Sequence, residues 1–458
     1  MTTTELSAAQ QASAHALEDL DRRHLVHPQQ SGANPDRLVI VRGDGSSVWD
    51  VHGREYLDIC GSGNWACQVG HGREELVTAG AEQLGRLAYF SGFFGFSNDK
   101  AVRLATRLIE LAPDNMERVF FTSGGSEGVE TAMKVSRLFH HHRGQPERTW
   151  FISRNLGYHG ATYGSGTLTG FPGMQEGVGP NLPHVAKVSP PYLYRAAEMY
   201  GTTEDPTDFL LRELDDTIRE IGPDRVAAMI GEPVIGGGGI LEPPADYWPR
   251  VRELLSRYGI LLIADEVVTA FGRTGSWFDS PDRGMAPDII VTAKGLTSGY
   301  APLGAVLMSA EVGGTVAGDD VVFGHGHTYS AHPTACAIAL ANLDVIEKDG
   351  LVERARVIED WLREDLAPLT GLPQVGDVRV VGATAGIELV TDHATREPLM
   401  GDPVTTELQH KHGVICRAYG PTIVLSPPLV IERDQLRRAG AALTEVISRL
   451  LPDGRITA

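Results

Sequence analysis

Cysteine is scarce: 458 residues contain only Cys60, Cys67, Cys336 and Cys416. Their scatter gives no CxxC pair and no zinc-like spacing. A disulfide framework and a cysteine zinc site are therefore excluded, and a reducing compartment is expected. No apolar run approaches the ~20 residues of a membrane span. The opening residues, Met1-Thr-Thr-Thr-Glu-Leu6, hold neither a basic nor an apolar stretch, so no export signal is expected. Positive charge is also short. With 40 Lys and Arg against 59 Asp and Glu, the formal charge is −19, which argues against nucleic acid and anionic membranes as partners. There is no internal repeat, no low-complexity tract and no GxxxxGK[ST] nucleotide loop. The expectation is a soluble, cytoplasmic protein that binds small molecules.

Glycine, by contrast, is plentiful. Many of the 53 glycines stand at strand exits, which suits an α/β enzyme whose backbone approaches a ligand. The length allows two domains, or one large domain with a smaller attachment. Residues 5–26 read as a polar helix reaching a turn at His27-Pro28, and 38–59 as a β-meander. Residues 72–112 read as two helices around an aromatic loop, Tyr89 to Phe96. From about 118 to 310 short apolar strands alternate with helical stretches, the pattern of a doubly wound, mostly parallel sheet. Within it, 170–207 is a long Pro/Gly-rich connection. Two helices follow Pro333, then strands near 376–390 and 413–426 and a closing helix at 433–451.

Two of the central strands end on a lone ionisable residue. The run Ile260-Leu-Leu-Ile-Ala-Asp265 ends on Asp265, and Asp288-Ile-Ile-Val-Thr-Ala-Lys294 ends on Lys294 with Gly295 next. The carboxyl edge of such a sheet is where ligands bind in open α/β folds. A desolvated lysine forms imines readily, and a buried carboxylate facing a pyridine nitrogen keeps it protonated. These are the two protein groups that a pyridoxal 5'-phosphate (PLP) enzyme needs most. Taken alone, each is also an ordinary strand end.

Phe120 to Lys134 reads as strand, glycine turn and helix, with Val129, Ala132, Met133 and Ser136 on one helical face. Ser126 sits at the helix N-terminus, where free N–H groups and the helix dipole favour a phosphate. The same stretch, Gly124-Gly-Ser126-Glu-Gly128, fits the GxSxG elbow of α/β-hydrolases, with Asp392, His393, His410 and His412 available downstream. That alternative, with Ser126 as nucleophile, leaves Lys294 and Asp265 without a role. Tyr158 can present its ring to a flat heteroaromatic ligand or simply anchor its own turn. Glu232, before four glycines, can hold the neighbouring loop. His140, His141 and His142 are consecutive on a helix end and point in different directions, so they read as surface and no metal site is expected.

In order along the chain stand Thr122-Ser-Gly-Gly-Ser-Glu127, Tyr158-His-Gly160, Glu232-Pro-Val234, Ala264-Asp-Glu-Val-Val-Thr-Ala-Phe-Gly-Arg-Thr-Gly275, Ala293-Lys-Gly295 and His327-Thr-Tyr-Ser-Ala-His-Pro333. Together these segments resemble the class III aminotransferases of PLP fold type I, from about residue 20 to 450. The resemblance implies a large doubly wound domain at 71–335. A smaller α+β domain would be built from both chain ends, 1–70 and 336–458. It also implies roles by position. Lys294 holds the cofactor as an imine and shuttles the proton, and Asp265 pairs with the pyridinium nitrogen. Val267 packs under the ring and Tyr158 stacks above it. Gly125 and Ser126 hold the phosphate, and Thr328 reaches the phosphate of the neighbouring subunit in a homodimer with shared sites.

Departures from the family pattern narrow the expectation. Val268 stands where many members that use 2-oxoglutarate have Gln, which is similar to the ω-transaminases that use pyruvate. Trp65 matches the aromatic pocket wall of that subgroup, and Arg417 its mobile carboxylate-binding arginine. On sequence alone Trp65 is equally a core residue and Arg417 a salt-bridge residue. Ala270 replaces a usual Gly, without a functional account. The expected activity is a PLP-dependent ω-aminotransferase moving an amino group from an amine or ω-amino acid to a keto acid, which the resemblance implies to be pyruvate, by a ping-pong mechanism. A 2-oxoglutarate transaminase, an aminomutase and a dialkylglycine-type decarboxylase share the motifs. A non-catalytic PLP-fold protein is opposed by the intact Lys294 and Asp265.

Overall fold

Strands covered on both faces need no polar alternation, and the continuous apolar runs of this chain form one such sheet. The computed structural model describes residues 8–32, 34 and 37–457. A meander comes first: β1 (Ile40–Asp44), β2 (Ser47–Asp50) and β3 (Glu55–Asp58). Seven strands follow, β4 (Met116–Thr122), β5 (Trp150–Arg154), β6 (Val185–Val188), β7 (Val226–Gly231), β8 (Leu261–Asp265), β9 (Ile289–Thr292) and β10 (Gly304–Ser309). Their order is β4-β10-β9-β8-β7-β5-β6. The ladders from β6 to β9 are parallel, and β10 runs antiparallel to both of its neighbours. Every residue of β7, β8 and β9 is buried.

Five short strands complete the chain: β11 (Val375–Val381), β12 (Thr384–Leu389), β13 (Val414–Ile415), β14 (Arg417–Tyr419) and β15 (Thr422–Leu425). Four of them make the antiparallel sheet β11-β12-β15-β14. β13 instead pairs in parallel with β3, Val414 against Leu57 and Ile415 against Asp58, so the two ends of the chain share a sheet. This is the doubly wound sheet with smaller α+β parts that the resemblance implied.

The first four helices are α1 (Ala8–His24), α2 (Glu74–Arg86), α3 (Asp99–Leu111) and α4 (Gly125–His142). In α4 the expected face, Val129, Ala132, Met133 and Ser136, is buried, and the helix lies across the sheet. One expectation fails on the same helix. His140 is not at the surface; it is 1% exposed and its Nε2 lies 2.9 Å from the Ala227 carbonyl oxygen, whereas His141 and His142 are exposed. α1 ends at His24, earlier than expected, and residues 5–7 lie outside the described part of the chain. The connection at 170–207 also contains β6, which extends the sheet beside β5. No helix among the described residues is long and apolar enough to cross a membrane.

Candidate active site

A cavity of about 930 Å³ opens at the carboxyl ends of the central strands. It is lined by Lys294, Asp265, Val267, Tyr158, Gly125 and Ser126, and on another side by Trp65 and Arg417. The structure thus brings together eight of the nine residues singled out from sequence. The ninth, Thr328, lies outside the lining of this chain, its carbonyl accepting a hydrogen bond from the Tyr89 hydroxyl at 2.8 Å.

Lys294 follows β9 on a left-handed backbone (φ 39°), a conformation that costs a non-glycine residue of order 1–3 kcal/mol. Its neighbour must be Gly295, because a Cβ there would collide with the Gln68 side-chain amide. Burial pushes the Lys294 ammonium down to about 8, with Asp265 and Glu232 opposing the shift. Only the neutral amine can attack a carbonyl. Capture of PLP by the cofactor-free protein should therefore accelerate with pH up to about 8 and level off above it. Stopped-flow absorbance across pH checks this, and a flat profile would mean that Nζ is neutral throughout.

Asp265 closes β8 and is 3% exposed. Its Oδ2 accepts a hydrogen bond from His159 Nδ1 at 2.7 Å, and its Oδ1 accepts one from the Val267 N–H at 3.2 Å. The imidazole fixes the carboxylate's orientation, while its own Nε2 is buried without a partner. Glu232 does hold the neighbouring loop: it accepts N–H groups from Tyr158 (2.9 Å) and Gly236 (2.8 Å). Burial raises its pKa.

The N-terminus of α4 lines the same cavity. Gly124 is its cap and provides no side-chain hydrogen bond to the first turn, so that turn's N–H groups face the lining formed by Ser123, Gly124, Gly125 and Ser126. A Cβ on Gly125 would press on both Val267 methyls at 3.1 and 3.2 Å. The Ala161 N–H donates to Ser126 Oγ at 3.2 Å, a contact that requires Gly160 to carry no side chain. An uncapped helix end, a carboxylate with a fixed direction and a depressed lysine around one cavity suit PLP: phosphate, pyridine nitrogen and aldehyde each meet a fitting group.

The remaining wall is apolar. Trp65 sits at φ 58° on a tight turn with its ring 5.6 Å from that of Tyr419, and the Lys294 Nζ lies 5.1 Å from the Trp65 ring centroid. Val268 packs against the same cluster. Arg417 donates from Nη1 to the Gly63 carbonyl at 2.9 Å, and its guanidinium lies 5.0 Å from the Tyr419 ring centroid. Among the described residues it has no carboxylate partner, so it is not a salt-bridge residue of the ordinary kind.

Sequence reasoning passed over His159 as a partner of Asp265, and over Tyr419. Arg417 and Tyr419 are two apart on β14 and so share a face, a signal that was present. The hydrolase partners do not assemble: Asp392, His393, His410 and His412 are all absent from the cavity lining.

The pattern of the family described as Aminotransferase class-III matches residues 29–447. The chain is 38% identical over 439 residues to the putrescine–pyruvate aminotransferase of Pseudomonas aeruginosa, covering 93% of this chain and 94% of the relative. Its structure is similar to that of a thermostable (S)-enantioselective ω-transaminase from Thermomicrobium roseum, with a TM-score of 0.91 and 41% identity, covering 94% of this chain and 97% of the other. It is also similar to a PLP-bound amine transaminase from an uncultivated Pseudomonas species, with a TM-score of 0.88, 40% identity and coverage of 92% and 97%.

Proposed function

Because the chain belongs to the class III aminotransferases, and is thus a PLP-dependent transaminase, we propose that it is an ω-aminotransferase. It takes the amino group of an amine or ω-amino acid and passes it to pyruvate in two half-reactions through one cavity. The observation that carries this reading is Arg417. It lines the same cavity as Lys294 and is held only by neutral groups, facing the apolar wall of Trp65, Val268 and Tyr419. Such a wall accepts an apolar amine. A guanidinium not committed to a carboxylate remains available for the keto acid that follows.

PLP, when bound, supplies the electron sink for the carbon that loses its proton. The rest is done by this chain. Lys294 Nζ would hold the cofactor and, once free, would carry the proton from the substrate carbon. A basic group with pKa near 8 suits that transfer. Asp265, aimed by His159, would keep the pyridine nitrogen protonated. The first turn of α4 and Ser126 would hold the phosphate, and Val267 and Tyr158 would contact the ring. Pyruvate's carboxylate pairs with Arg417, and the amino group leaves as alanine.

Thr328 has a place in this scheme in a homodimer, where it reaches the neighbouring phosphate. The surface beside it supports that assembly: Phe94 is 94% exposed, Val322 89% and Tyr329 61%. Exposed apolar patches of this kind mark protein interfaces. Phe94→Glu should convert dimers to monomers in sedimentation analysis and lower cofactor retention. Unchanged dimers would place the interface elsewhere. The proposed small domain unites 1–70 with 336–458, supported by the β3–β13 pairing, around the large domain at 71–335. Four free, buried cysteines fit the proposed cytoplasmic location.

A panel of amines, each offered pyruvate or 2-oxoglutarate, tests the acceptor. Amino acid analysis should show alanine forming faster than glutamate. Faster glutamate formation would overturn the reading built on Val268 and Arg417 and favour a 2-oxoglutarate transaminase.

A further inference from the structure

We propose that His15, Glu18 and His52 form a zinc site that fastens α1 to the body of the protein. Among the described side chains of α1 only Ala14 is buried, while Leu17 and Leu20 are 42% and 45% exposed. Helices in proteins are held mainly by packing an apolar face, and this helix has little of one. Its attachment is polar. Glu18 Oε1 lies 2.7 Å from His52 Nε2, and Glu18 Oε2 lies 3.3 Å from His15 Nδ1. The two imidazole rings are 5.2 Å apart. One ligand atom from each residue lies within 4.8 Å of the other two. His52 comes from the turn between β2 and β3, where its N–H is held by Asp50 Oδ1 at 2.9 Å, so the three groups bridge two separate elements.

Two imidazoles and a carboxylate are a zinc ligand set with a fourth position open to water. Zinc bonds of about 2.0–2.2 Å place tetrahedral ligands about 3.3 Å apart. Here the two imidazoles approach different Glu18 oxygens, at 2.7 and 3.3 Å, and with all three ligand atoms within 4.8 Å of one another side-chain rotation can bring them to that spacing. Imidazole ligands select against magnesium and calcium, and the absence of a thiolate from the set selects against soft ions. The consequence reaches the active site. The chain leaving α1 leads to Pro28 and Gln29, which line its cavity. A metal on α1 would steady the segment that walls the cavity without taking part in the chemistry.

The test uses PLP-loaded protein, stripped with a chelator, dialysed and titrated with Zn²⁺ alone. One equivalent should bind per chain at roughly micromolar free zinc. His15→Ala and His52→Ala should each lose it, and His142→Ala, at an exposed histidine elsewhere, should keep it. Trypsin provides a second readout, because Arg22 and Arg23 lie exposed on α1. Zinc at about ten times its Kd should slow cleavage there about tenfold, by suppressing local opening. His52→Ala should show no such slowing. Circular dichroism and cofactor content confirm that the variants fold. Equal zinc binding by the parent, His15→Ala and His52→Ala would overturn the proposal, as would zinc binding that leaves cleavage of the parent unchanged.

Discussion

Lys294→Ala should lower turnover by ~10²–10⁴-fold or more while the protein still takes up PLP without a covalent link. The two effects separate because the binding groups are distributed. The first turn of α4, Ser126, Val267, Tyr158 and Asp265 all line the cavity and remain in the variant. What disappears is the only lysine amine among the described residues of the lining. The lysine sits on a left-handed backbone beside Gly295, where a Cβ would collide with the Gln68 side chain. The check is single-turnover kinetics with cofactor content measured alongside. Turnover within about tenfold of the parent would remove Lys294 from its proton-carrying role. Asp265→Asn should differ in kind. The covalent link to Lys294 should still form, but proton removal should stall, because a neutral amide facing the pyridine nitrogen no longer favours its protonated form.

The second large effect is expected at Arg417. Arg417→Ala should lower kcat/KM for pyruvate by roughly 10²-fold, since truncating one partner of a buried charge pair costs about 2–5 kcal/mol. The half-reaction with a simple arylalkyl amine should change by less than about threefold, because that substrate brings no charge to this side of the cavity. The guanidinium can serve both substrates for a visible reason. The Gly63 carbonyl and the Tyr419 ring hold it, and neither is a charge that must be stranded when the arginine moves. Stopped-flow bleaching by the amine alone, followed by recovery with pyruvate, measures the two halves separately. Equal loss in both halves, or loss in neither, would make Arg417 structural.

Much of this was legible in the sequence, for identifiable reasons. β7, β8 and β9 are buried along their whole length, so they read as apolar runs, and Asp265 and Lys294 stood out as the ionisable ends of two of them. β6 was hidden because Lys187 interrupts its short run; its amine reaches out to the Thr169 carbonyl at 2.7 Å. His140 was misread although the signal existed: Val129, Met133, Ser136 and His140 follow helical spacing, and the last turns inward with the others. The His159–Asp265 bond joins residues 106 positions apart, a pairing that spacing alone does not encode. Thr328 is different again. Its proposed partner belongs to a second chain, and one chain's surface offers only the exposed aromatic loop as a hint.

Borohydride reduction of the PLP-loaded protein, followed by digestion and mass spectrometry, tests the central assignment most directly. The account predicts a phosphopyridoxyl group on Lys294, in high yield, and its loss when an amine substrate is added before the reductant. A label on another lysine would contradict it, and so would an unlabelled protein whose Ser126 reacts with a serine-directed phosphonate.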